Sequence, residues 1–227
     1  PDPSPETSEW RDYLEHRAQG GRALLWPAHL EAIAQGSLDI RRSLVVSMPT
    51  GSGKSLIAEM RIAATLQHEQ QAWVLYIVPT NALVRQVKQD LEEALEPLVT
   101  TVRGFLTQRE YTYLTIESLS PAELPSEPIN YVAVMTPEKL RLAVSLWPEA
   151  FDSCALCVVD EAHLIGDFKR GSLLDLALAQ LRTVNPEVPF VLLSAMMSNP
   201  KDLGQWLGGI DFLDERRPTR QALMLGI

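Results

Sequence analysis

The chain has 227 residues, 46% of them hydrophobic and 22% charged, enough to bury one large core or two small ones. It contains no run of about eighteen apolar residues, which excludes a helical membrane span. The opening PDPSPETSEW lacks the basic-then-apolar order of a signal peptide. A net charge of −9 argues against a protein that coats nucleic acid through bulk charge, while leaving room for a local groove.

In chain order, residues 1–23 read as an N-terminal linker and helix, with two helices over 7–35 broken at QGG. Strand-like SLVVSM (43–48) then precedes helical GKSLIAEMRIAATLQ, and AWVLYIV (72–78) precedes NALVRQVKQDLEEALE. A short strand is expected near 99–105, inside an otherwise irregular stretch that runs to 129. NYVAVM (130–135) precedes PEKLRLAVSLW, ALCVVD (155–160) precedes GSLLDLALAQLRTV, and PFVLLSA (189–195) precedes NPKDLGQWLG. Such alternation predicts an α/β fold with a mostly parallel central sheet. The strands are apolar throughout, as when helices cover both faces. Their following loops should gather at one sheet edge, where open α/β sheets bind ligands. A main domain over 24–208 follows, with 209–227 as a segment leading out of it.

Cys154 and Cys157 both lie in DSCALCVVD (152–160), which reads as a strand. Residues three apart on a regular strand face opposite sides, so the pair does not read as half of a metal site. Buried small hydrophobes in a reducing compartment are the expectation, and with it an intracellular, cytoplasmic protein (nuclear in a eukaryote).

MPTGSGKS (48–55) follows a strand and opens a helix, as a phosphate-binding loop requires. Met48 stands where the usual pattern has its first glycine, but Thr50, Gly51, Ser52 and Gly53 keep the needed chemistry. The glycines let backbone N–H groups approach phosphate oxygens, and the helix N-terminus adds partial positive charge. Lys54 suits the β and γ phosphates, and the Ser55 hydroxyl suits Mg²⁺. Such a loop needs a carboxylate partner, which VVDEAHLIGD (158–167) supplies. Asp160 is placed to hold Mg²⁺ through water, and Glu161 to orient or polarise the attacking water. His163 lacks partner ligands at metal spacing and reads as a hydrogen-bonding link to a neighbouring loop, toward Ser194.

Together, MPTGSGKS, PTNALVRQ (79–86), MTPEKL (135–140), VVDEAHLIGD and LLSAMMSNPKDLGQWLG (192–208) resemble the ordered motifs of superfamily-two DEAD/DEAH-box helicases, closest to the Ski-like branch. The resemblance implies a RecA-like P-loop NTPase domain, the first of two such lobes. The second, from the same longer chain or a partner, is implied to supply arginines to the transition state. ATP and Mg²⁺ are the implied cofactors. Pro79, Thr80, Arg85, Thr136 and Pro137 are implied to border a single strand of DNA or RNA, held by phosphate contacts that do not read bases. Asp167, Arg170 and Gly171 match a further family pattern. The family's coupling motif is Ser194, Ala195 and then Met196 here, where a threonine is usual; a thioether donates no hydrogen bond. His29 aligns with the glutamine that reads adenine. The implied function is an ATP-driven translocase or unwinding motor. The alternative, motivated by Met196 and His29, is a degenerate motor acting as an ATP-gated switch or scaffold.

Overall fold

The computed structural model describes residues 8–20, 25–68, 73–96, 98, 101–105, 130–165, 171–195, 197 and 200–216. Among the described residues, seven strands form one sheet: β1 (Leu44–Ser47), β2 (Trp73–Ile77), β3 (Thr101–Phe105), β4 (Tyr131–Met135), β5 (Cys154–Val159), β6 (Phe190–Ser194) and β7 (Ile210–Leu213), in the order β3-β4-β2-β5-β6-β1-β7. Every pairing is parallel. The helices are α1 (Ser8–Gln19), α2 (Pro27–Ala34), α3 (Lys54–His68), α4 (Asn81–Leu95), α5 (Pro137–Leu146), α6 (Ser172–Val184) and α7 (Pro200–Trp206).

Period-two alternation divides the apolar strands between two cores. Leu44, Val46, Val74, Tyr76, Val132, Val134, Val158 and Val191 face α1 to α4, and their neighbours Val45, Leu75, Ile77, Ala133, Val159 and Leu192 face α5 and α6. Both faces are therefore dry, which explains why these strands carry no polar alternation.

Two expectations change. IDFL, placed in the segment leading out of the domain, is β7 and pairs with β1 from Leu44↔Ile210 to Ser47↔Leu213. The sheet thus continues past residue 208, because Gly209 packs where a Cβ would lie 2.2 Å from the Ser43 carbonyl oxygen. At the other end α1, within the segment 1–23, is seated on the domain. Tyr13 is fully buried, its hydroxyl donates to a Glu59 carboxylate oxygen on α3 at 2.7 Å, and Arg17 pairs with the same carboxylate.

The cysteines also differ from expectation. Trp73 pairs with Cys154 but Val74 with Leu156, so Ala155 is a bulge. The extra residue reverses the alternation and turns Cys154 and Cys157 to the same face. Both are free and buried. Burial pushes the Cys154 thiol up to about 12 and the Cys157 thiol well above its ordinary value. The described residues contain no cluster of three or more His, Cys, Asp or Glu suited to a metal.

Arg61 of α3 is fully buried. Its guanidinium donates to the Ser37 and Arg42 carbonyls, tying the loop before β1 to the helix after it. Burial pulls its pKa down to about 10, with Asp39 opposing. No described helix is long and apolar enough to cross a membrane.

Candidate nucleotide site and nucleic-acid track

In an all-parallel sheet the strand ends fall on one edge, and here that edge carries nearly every predicted site residue. Along it stand Thr136 and Pro137 after β4, Pro79 and Thr80 after β2, Asp160 and Glu161 after β5, Ser194 and Ala195 at β6, and the phosphate loop after β1. Adjacent strands lie roughly 4.8 Å apart, so β1 and β5 are about 10 Å apart with β6 between them.

The loop 48–53 is held by its own backbone. Met48 N–H donates to the Ser194 carbonyl at 3.0 Å, fixing the loop's root to β6. Ser52 is 3% exposed, and its hydroxyl closes the turn on the Pro49 carbonyl at 2.6 Å. Gly51 and Gly53 take φ 79° and 86°, a region side chains disfavour. Thr50 and Gly51 are exposed, and Ser55 is exposed on the first turn of α3. The Lys54 side chain runs inward, and Nζ stands 3.6 Å from Glu161 Oε1. The loop and the acidic strand tip therefore converge on one lysine across the intervening strand.

Asp160 continues the β5 ladder, its N–H donating to the Ile77 carbonyl at 2.9 Å. Its Oδ1 accepts the Glu161 N–H at 2.9 Å. Burial raises its pKa above 3.8, opposed by that N–H and by Lys54. A hydroxyl at Ser55 and a carboxylate at Asp160 are hard oxygen donors. That small set suits an ion which keeps most of its water and shares phosphate oxygens, as Mg²⁺ does. Glu161 takes φ 53°, and its carboxylate reaches back across the edge to Lys54.

His163 pairs within its own loop. Its Nδ1 lies 3.2 Å from Glu161 Oε2, and its side chain is 46% exposed. Ser194 is fully buried on β6, and the described contact of His163 is with Glu161. Ala195 is half-buried at the β6 end. Met196, Asp167 and Arg170 lie outside the described residues; Gly171 caps α6, its carbonyl accepting from Asp175 N–H at 2.8 Å.

Three of the residues expected to border a strand share a cleft. Pro79, Thr80, Pro137 and Asp160 line a single cleft of about 460 Å³, with Glu138 and Leu164 beside them and Ser172 to Leu174 on the far wall. Thr80 caps α4, its hydroxyl accepting from Leu83 N–H at 3.3 Å. Arg85 stands exposed one turn on, and Thr136 is buried beneath the edge. Lys139, on α5, is 3% exposed. The far wall comes from the first turn of α6, directly after Gly171.

His29 is the largest surprise. It is 2% exposed and faces the phosphate loop: Nδ1 accepts from Trp26 N–H at 3.1 Å, and Nε2 lies 3.2 Å from the Gly53 carbonyl oxygen. The alignment with a base-reading glutamine gave no sign of this inward contact.

Fold and site together define a RecA-like P-loop nucleotide-binding domain, with a phosphate loop and an acidic strand tip sharing one edge of a parallel sheet. The family described as DEAD/DEAH box helicase matches residues 26–203, and the chain belongs to that family. The ATP-dependent DNA helicase Hel308 of Methanococcus vannielii is 31% identical over 199 residues, 86% of this chain and 25% of that protein. The human U5 small nuclear ribonucleoprotein 200 kDa helicase is 30% identical over 172 residues, 73% of this chain and 8% of that protein. Among solved structures, the DUF1998 helicase MrfA overlays with TM-score 0.64 at 21% identity, covering 90% of this chain and 32% of its own. The helicase Lhr of Mycobacterium smegmatis, bound to ssDNA and AMP-PNP, gives 0.64 at 24% identity, covering 90% and 27%. The chain thus spans about a quarter of the Hel308 protein it resembles.

Proposed function

We propose that this chain is the ATP-binding lobe of a nucleic-acid-dependent ATPase that moves along, or unwinds, a strand of DNA or RNA. The observation that carries this reading is the convergence of Lys54 and Glu161 to 3.6 Å. It joins the two halves of a hydrolytic site from strands β1 and β5.

In this reading Gly51, Ser52 and Gly53 present backbone N–H groups to the phosphates, with Thr50 at the rim of the loop. Lys54 moves its ammonium from Glu161 to the β and γ phosphate oxygens, which frees the Glu161 carboxylate to orient the attacking water. Asp160 and Ser55 would hold Mg²⁺, which would neutralise phosphate charge when bound. A second RecA-like domain supplies arginine, a contribution of roughly 10³–10⁵ in rate, so the lobe alone turns over slowly.

Thr80 and the first turns of α4 and α5 hold strand phosphates, contacts that serve any sequence. The cleft shared by Pro79, Thr80, Pro137 and Asp160 offers a direct route from strand to metal site. In this reading Ser194 and Ala195, at the end of β6 between β1 and β5, couple the strand to the hydrolytic site. The relatives above are helicases by name, which favours the motor over the switch reading. An intracellular location fits the buried, free thiols.

The intact protein should show ATPase activity stimulated by single-stranded DNA or RNA, abolished by Lys54→Ala and by Glu161→Gln. Undiminished turnover in both variants would refute the assignment.

A further inference from the structure

His29 sits on α2, outside the phosphate loop, yet both of its ring nitrogens are committed to backbone. Nδ1 accepts from Trp26 N–H at 3.1 Å, so the neutral ring carries its proton on Nε2. That proton faces the Gly53 carbonyl at 3.2 Å, with the Ser52 carbonyl beside it. Burial holds the imidazole below its ordinary pKa, with the two carbonyls opposing.

The Gly53 peptide is where direction matters. A trans peptide is planar, with its C=O and the following N–H pointing opposite ways. Drawing the Gly53 carbonyl toward α2 and toward Leu56 N–H, which donates to it at 2.9 Å, turns the Lys54 N–H the other way, into the loop. The ring also occupies the space a side chain would need: a Cβ on Gly53 would lie 2.4 Å from Nε2. With both nitrogens engaged, His29 has no polar atom left to read a nucleobase.

We propose that His29 is a positioning residue for the phosphate loop, a strut that orients the Gly53–Lys54 peptide for phosphate whatever base is attached. The proposal rests on the nucleotide-binding reading of the same loop and adds the residue that shapes it.

The test is displacement of a fluorescent ADP, with Mg²⁺ present, by unlabelled ADP and by inorganic tripolyphosphate, which has no base. Wild type, His29→Ala and His29→Gln are compared after circular dichroism confirms folding. His29→Ala should weaken both competitors by the same factor, about tenfold. His29→Gln, which keeps an N–H near the position of Nε2, should recover most of the loss. Long-range ¹H–¹⁵N spectra of the wild type should show Nδ1 unprotonated. Loss confined to ADP would make His29 a base reader and overturn the strut, as would unchanged affinities in His29→Ala or a glutamine variant as weak as alanine. If ADP binds the wild type but tripolyphosphate does not displace it, the strut falls while the nucleotide reading stands. If ADP does not bind the wild type, both fall.

Discussion

Glu161 offers a way to separate folding from chemistry at one residue. Its backbone sits at φ 53° and ψ 42°, the one positive φ outside glycine among the described residues. A side chain in that region costs about 1–2 kcal/mol relative to the right-handed form, a penalty glycine does not carry. Elsewhere glycine is worse than alanine by roughly 0.5–1 kcal/mol, because it gains more freedom on unfolding. Glu161→Gly and Glu161→Ala both delete the carboxylate and its contacts with Lys54 and His163, so those effects cancel when the two are compared. The glycine variant should then be the more stable by about 0.5–1 kcal/mol, or roughly 2–4 °C per kcal/mol in melting midpoint. Urea denaturation with matched m-values measures the difference directly, and neither variant should hydrolyse ATP. An alanine variant as stable as the glycine one would show that residue 161 is not held in the left-handed region.

His29 is held below its ordinary pKa of 6.5, so the unfolded chain takes up the proton first as pH falls. Its stabilisation is present above about pH 6.5 and is lost below it. The gap in urea midpoint between wild type and His29→Gln should therefore shrink or reverse between pH 7.5 and 5.5; a gap independent of pH would contradict this. Cys154 and Cys157 should resist thiol reagents at pH 8 in the native state and become labelled along the unfolding transition; rapid native labelling would show that the bulge opens. Arg61→Leu strips two buried carbonyls of their donor and should cost about 2–4 kcal/mol, and a midpoint shift under 2 °C would show that the loop before β1 does not depend on it.

Local sequence was enough for the elements that carry their own signals. The loop 48–53 announces itself through glycines whose backbone must turn left-handed, and Asp160 and Glu161 through charge at the end of an apolar strand. Parallel pairing then follows from strand–helix alternation, and it alone sends these loops to one edge. Long-range packing decided the rest. β7 is a strand because β1 offers it a free edge, and α1 is seated because Glu59, far along the chain, receives Tyr13 and Arg17. Cys154 and Cys157 share a face because a bulge opposite Trp73 shifts the alternation, a register property that no spacing rule contains. His29 shows the limit most sharply. A histidine on a short helix carries no mark of its partner, and only the fold brings it against the carbonyl of a glycine whose missing side chain makes room for the ring.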